Sequence, residues 1–224
     1  MKSIAIIPAR GGSKRLARKN ILPLGGIPLL DRVVQTCLQS GLFDQVIVSS
    51  EDHEIQEVAI NAGALVYKRN LDLAQDRSTV VAVCLDVLQH YHCENFCCIY
   101  ATAALLTPLT LQQSAESFLN RNDIQVLMGV SKYNYSPVQA LSINESGCAE
   151  ILFPQYLNIQ SQFYPKARVS NGTFYWARAD DFANEKTFYS HHLGVFDVPD
   201  NEVCDLDTAE DYEILKRKFK LNET

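Results

Sequence analysis

The sequence predicts a doubly wound, three-layer α/β/α fold around a mostly parallel sheet. Two observations carry that expectation. Short apolar runs alternate with stretches of helical periodicity, each bounded by turn residues. The runs are continuous, as strands buried on both faces require. Right-handed crossovers then follow, and ligands bind beyond the carboxyl ends of the strands. A chain of 224 residues suits a single domain, residues 1–224, with a small inserted lobe.

Ser3-Ile4-Ala5-Ile6-Ile7 forms the first strand, stopped by Pro8, which has no N–H for a ladder. Ala9-Arg10-Gly11-Gly12-Ser13-Lys14 follows, and paired glycines let backbone N–H groups turn towards an anion. Arg10, Lys14, Arg15, Arg18 and Lys19 are five cations within ten residues, and the first acidic residue is Asp31. This points to a polyanion site; a solvated basic turn is the plain alternative. The spacing matches neither G-x-x-x-x-G-K-[ST] nor G-x-G-x-x-G.

Residues 28–40 read as a helix with Leu29, Leu30, Val33, Val34, Cys37 and Leu38 on one stripe and Gly41 as its stop. Val46-Ile47-Val48 is the second strand. Asp52 can cap a helix carrying Ile55, Val58, Ala59 and Ala62, which Gly63 ends. A third strand spans 64–68. The polar connection 69–79 leads to a helix over 80–90, with Ser78 or Thr79 as its cap; a surface loop is the plain reading. Residues 96–100 are the fourth strand, 110–120 a helix, and 126–130 the fifth strand.

The rhythm breaks from Pro137 to Ser170, where 140–143 and 149–152 suggest a hairpin in what is otherwise an ordinary insertion. Ser170-Asn171-Gly172 reads as a turn entering a strand, with Trp176 in the core. In Asp205-Leu206-Asp207 the carboxylates are two apart, which on a strand sets them on one face, able to hold one Mg²⁺. Thr208-Ala209-Glu210-Asp211 reads as a capping box for a last helix with Tyr212, Leu215 and Phe219 inward. Capping would equally account for Asp207.

A formal charge of −6 argues against wholesale nucleic-acid or membrane binding and makes the basic loop a local feature. There is no membrane-length apolar run, and Met1-Lys2 leads straight into a strand, so a cytoplasmic protein is expected. Seven cysteines without a C-x-x-C pair suggest reduced thiols rather than disulfides or zinc. The five histidines show no metal-ligand spacing.

Ile7-Pro8-Ala9-Arg10-Gly11-Gly12-Ser13-Lys14-Arg15, closed by Lys19-Asn20, resembles the N-terminal signature of the CMP-sialic acid synthetase (acylneuraminate cytidylyltransferase) family. The likeness runs along nearly the whole chain and is weakest from 137 to 168. It implies a Rossmann-like nucleotidyltransferase fold, CTP and a sugar acid as partners, Mg²⁺ as cofactor, and a homodimer formed through a lobe at 135–170. The implied nucleotide site is Ala9, Arg10, Gly11, Gly12, Ser13, Lys14 and Asn20, joined through R-x-x-x-L-A-x-D by Arg69, Ala74 and Asp76, with Arg69 at the cytosine. Catalytic roles fall to Arg10, Lys19, Asp205 and Asp207, the two aspartates also holding the metal.

Near the sugar the chain departs from the sialate pattern. Tyr100 and Leu106 replace the glutamine and arginine of Q-P-T-S-P-L-R, and Val169 replaces the arginine of R-P-N-G. The run Cys97-Cys98-Ile99-Tyr100-Ala101-Thr102-Ala103 resembles instead the branch that activates pseudaminic acid, a nonulosonate with two acylamino groups. Tyr100, Thr102, Gln162 and Asn171 are then the implied sugar contacts. Legionaminic acid, sialic acid or a shorter keto-sugar acid are alternatives, as is a non-catalytic nucleotide-binding module.

Overall fold

The computed structural model describes residues 2–222. In chain order the elements are β1 (Ser3–Pro8), the short pair β2 (Pro23–Leu24) and β3 (Ile27–Pro28), α1 (Leu29–Ser40), β4 (Gln45–Ser50), α2 (His53–Asn61) and β5 (Leu65–Lys68). Then come α3 (Val80–Leu88), β6 (Asn95–Ile99), α4 (Pro108–Leu119) and β7 (Val126–Lys132). The hairpin β8 (Leu141–Ile143) and β9 (Ala149–Ile151) precedes β10 (Arg168–Arg178), α5 (Ala179–Glu185), β11 (Leu193–Asp197) and α6 (Ala209–Asn222).

The main sheet runs β11-β7-β10-β6-β1-β4-β5. Only β10 is antiparallel to its neighbours, β6 and β7. From β1 the chain winds outward through β4 and β5, then returns to β6 on the other side of β1. The crevice beyond β1 and β6 is therefore the topological switch point, where such sheets take their ligands.

The first strand shows why the sheet is buried on both sides. Ile4 and Ile6 pack into one apolar cluster and Ala5 and Ile7 into the other, all four fully buried. Local signals set the ends of the helices. Gly41 stops α1 at φ 67°, a left-handed conformation that glycine adopts at no steric cost. The Asp52 carboxylate accepts the Ile55 N–H at 3.1 Å to cap α2, and Thr79 rather than Ser78 caps α3 through the Ala82 N–H at 3.1 Å. Thr208 and Asp211 exchange hydrogen bonds at the head of α6. Trp176 is buried, its Nε1–H donating to Ser114 Oγ at 2.9 Å and its ring stacked on Phe43. All seven cysteines are free thiols.

Three features differ from the sequence expectation. Helix α4 starts at Pro108 under a Thr107 cap, earlier than Thr110, because the buried Glu202 carboxylate accepts from both threonine hydroxyls and from the Thr107 N–H. Residues 170–172 are not a turn before a strand. They lie inside the long strand β10, whose pairing with β7 slips between Ser170 and Tyr175, with Gly172 at φ 64°. Asp205 and Asp207 lie in an irregular connection with no ladder partner. Alternation survives there because Leu206 is packed among Leu24, Leu29, Leu105 and Leu215.

Candidate active site

The basic loop is held from behind by carboxylates at the start of α2. Ala9 stays with the sheet, its N–H bonded to Ser49 O at 3.0 Å and its methyl in the core. The Gly11 N–H donates to Glu51 Oε1 at 2.7 Å. A Cβ at Gly11 would lie 2.5 Å from Asp52 Oδ2, so close approach, not positive φ, demands glycine there. Asp52 also receives both terminal nitrogens of Arg18, at 2.5 and 3.0 Å, and Arg18 pairs with Glu54. Arg18 itself sits in the left-handed region at φ 55°.

The Arg18 hydrogen bonds hold the Asp52 carboxyl below the usual carboxylate range, while Asp52 raises the guanidinium. Because the folded-state value is the lower one, this clamp contributes fully above the ordinary carboxylate pKa. It is lost as pH falls through the folded value.

In front of this support a cleft of about 450 Å³ opens at the switch point. Arg10, Ser13, Lys14, Arg15, Lys19 and Asn20 line it from the loop, Arg69 and Asp76 from the connection after β5, Tyr100 from the end of β6, and Asp207 from the segment before α6. Two carboxylates bridge four cations. Asp76 takes Arg10 at 2.8 Å and Lys14; Asp207 takes Arg15 at 2.7 Å and Lys19 at 3.1 Å. Asn20 positions Arg10 by donating to its carbonyl at 2.8 Å.

Arg69 is buried, its guanidinium donating to Ser49 O at 2.6 Å and Ser49 Oγ at 3.2 Å, with Glu51 Oε2 at 3.9 Å. Burial lowers its pKa, yet a guanidinium remains charged. Burial pushes the Tyr100 hydroxyl well above the phenol range, so it is protonated and able to donate at neutral pH. Its ring meets Tyr175 edge-on at 6.0 Å, and the Tyr175 hydroxyl lies 2.6 Å from Ser170 Oγ.

Of the residues expected at the site, Arg10, Ser13, Lys14, Lys19, Asn20, Arg69, Asp76, Tyr100 and Asp207 share this cleft. Ala9, Gly11, Gly12, Ala74, Thr102, Gln162, Asn171 and Asp205 do not line it. Ala74 closes a single 3-10 turn, Leu71–Leu73. Asn171 serves the β10 slip, donating to Ser131 Oγ at 3.1 Å and accepting from the Thr173 hydroxyl at 2.6 Å. Gln162 lines a separate hollow of about 520 Å³ beside Lys132, Tyr135 and Lys166. Leu106 is buried in the core, so among the positions that depart from the sialate pattern only Tyr100 faces the cleft. Sequence alone marks Asp52 only as a helix cap and gives Glu51 and Glu54 no role; the signal for their support of the loop is an acidic run just beyond the carboxyl end of β4.

Among the described residues no three His, Cys, Asp or Glu side chains gather as a metal-holding group. Magnesium does not require one, since it keeps waters and is commonly held by one or two carboxylates together with substrate phosphates. Asp207 is such a carboxylate in the cleft, paired here with Arg15 and Lys19, and Asp205 stands two residues away outside the lining.

The sequence profile of the cytidylyltransferase family matches residues 4–218. The chain belongs to the cytidylyltransferase family. It is 36% identical over 228 residues to the pseudaminic acid cytidylyltransferase of Campylobacter jejuni serotype O:2, covering 99% of this chain and 98% of the relative. It is 31% identical to the CMP-N,N'-diacetyllegionaminic acid synthase of Legionella pneumophila, covering 100% of this chain and 98% of that one. A solved CMP:2-keto-3-deoxy-manno-octonic acid synthetase complexed with CTP superposes over 100% of both chains with a TM-score of 0.74 at 15% identity. That likeness establishes the shared Rossmann-like nucleotidyltransferase fold. As a cytidylyltransferase this protein is a nucleotidyl-transferring enzyme, and among its described residues no helix is long and apolar enough to cross a membrane.

Proposed function

We propose that this cytidylyltransferase joins CTP to a nine-carbon keto-sugar acid, pseudaminic acid by preference, and releases pyrophosphate. The observation that carries this reading is the set of four cations, Arg10, Lys14, Arg15 and Lys19, facing one cleft at the switch point. Nucleotidyl transfer is mainly positioning and neutralisation of charge. The anomeric hydroxyl gives its proton to water and attacks the α-phosphorus, the bond to the bridging oxygen breaks, and pyrophosphate leaves with the electron pair. Arg10 and Lys19 offset charge on the α-phosphate and the leaving group, while Ser13 and Lys14 hold the outer phosphates. Buried Arg69, fixed by Ser49, is rigid enough to read the cytosine edge. Asp207 and Asp205 are the residues that would hold Mg²⁺ beside the phosphates, and a bound ion would add neutralisation and acidify the attacking hydroxyl.

The sugar reading rests on Tyr100 and on the relatives named for bis-acylamino nonulosonates. A bis-acylamino nonulosonate is expected to exceed sialic acid in kcat/KM, because a site shaped for amides leaves extra hydroxyls unpaired. Pyrophosphate release measured across pseudaminic, legionaminic, sialic and octulosonic acids tests this. Equal or faster turnover of sialic acid would remove the substrate assignment and leave the reaction class standing.

The metal reading has its own test. Asp205→Asn and Asp207→Asn are each expected to keep the melting temperature and lose most Mg²⁺-dependent rate, since amides are poor ligands for a hard cation. The α6 cap is made by Thr208 and Asp211, so Asp207→Asn does not disturb it. Initial rate against Mg²⁺ concentration is the measurement, and wild-type curves from both variants would place the metal elsewhere.

The homodimer is proposed on the lobe at 135–170. Leu141, Ile143, Leu157 and Phe163 are all more than half exposed there, an apolar cover suited to a second copy of the chain.

A further inference from the structure

We propose that Asp76 competes with polyphosphate for Arg10 and Lys14, and so sets how readily the cleft lets pyrophosphate go. The inference rests on the reading that this cleft takes a triphosphate. It assigns Asp76 a role opposite to that of a nucleotide ligand.

Asp76 spends both carboxylate oxygens on cleft cations, Oδ1 on Arg10 and Oδ2 on Lys14. Among the described residues no other hydrogen bond of its side chain holds the surrounding connection in place. That connection is fixed by other groups: the Arg69 N–H on Ser50 O at 3.1 Å, Asn70 on the Asp72 N–H at 3.0 Å, Ser78 Oγ on Asp72 O at 3.0 Å, and Thr79 as the α3 cap. The carboxyl lies below its usual range because Lys14 and Arg10 both bond to it, so it is an anion throughout the neutral region.

Lys14 and Arg10 have further N–H groups for a phosphate, but a phosphate drawn to them sits beside the Asp76 carboxylate, and the two anions repel. Polyphosphate therefore binds against that repulsion, and the two Asp76 pairs weaken as it enters. Pyrophosphate has only such cation contacts to offset that loss. CTP meets the same penalty but adds base and ribose contacts near Arg69, so it stays bound where pyrophosphate leaves.

Calorimetric titration with inorganic pyrophosphate and with CTP, in chelator so that metal plays no part, tests the assignment. Asp76→Asn is expected to bind pyrophosphate about threefold to thirtyfold more tightly, the range for two exposed charge pairs. CTP should gain as well, and Asp76→Glu should stay near wild type. Asp76 is 47% exposed in its side chain, so an unchanged melting temperature is expected, with Asp76→Ser as a second neutral replacement. Equal or weaker pyrophosphate binding by both neutral variants, with wild-type CTP binding intact, overturns the proposal alone. A wild-type protein that binds neither ligand overturns the nucleotide reading with it.

Discussion

Lys19→Ala is expected to fall about tenfold to a hundredfold in kcat, with a smaller change in the KM for CTP. Lys19 is the less exposed of the two cleft lysines: its side chain is 24% exposed, against 80% for Lys14. It is held 3.1 Å from Asp207, the carboxylate proposed to face the phosphates. A charge-assisted hydrogen bond of this kind is worth roughly 1.5–3 kcal/mol. If the contact strengthens as charge develops on the leaving group, the loss appears in kcat. Lys14→Ala should lose less and act chiefly on the KM for CTP, because an exposed ammonium is well screened by solvent. Steady-state rates for both variants at saturating sugar decide the matter. Wild-type turnover by both would mean that the phosphates lie elsewhere.

Gly11→Ala is expected to lose both stability and activity. The added methyl would sit 2.5 Å from Asp52 Oδ2 and 2.9 Å from Asp52 Cβ, at the start of a helix that cannot easily retreat. Relief requires Asp52 to turn away, which breaks the α2 cap and the two-pronged Arg18 contact together. Overpacking costs about 1–3 kcal/mol and a lost cap about 0.5–2 kcal/mol. For a domain of this size the melting temperature should drop by roughly 5–15 °C. Gly12→Ala is the control, since a Cβ there meets nothing within 4 Å. Equal melting temperatures for the two variants would show that the loop does not lean on Asp52 as the geometry requires.

The pair of glycines shows how far sequence reasoning reached. In the sequence both suggest backbone N–H groups offered to an anion. In the fold the Gly11 N–H already belongs to Glu51, and the cleft is lined instead by side chains from further along the loop. The five cations were legible as a cluster, but their division was not. Arg18 turns back to Asp52 and Glu54, whereas Arg10, Lys14, Arg15 and Lys19 face the cleft. Charge density along a chain is a local property; the direction a side chain takes depends on which strand ends beside it.

Local sequence suffices for the main strands and helices from β1 to β7, without the small pair β2 and β3, for the caps at Asp52 and Thr208, for the core place of Trp176, and for the family. These rest on hydrophobic periodicity and on residues within a turn or two of one another. Tertiary structure alone sets β10 antiparallel between β6 and β7 and places β11 at the edge of the sheet. It alone brought Asp76 to Arg10 across 66 residues and Asp207 to Lys19 across 188. Such pairs leave no periodic trace, because each depends on two strand ends meeting at one edge of a folded sheet.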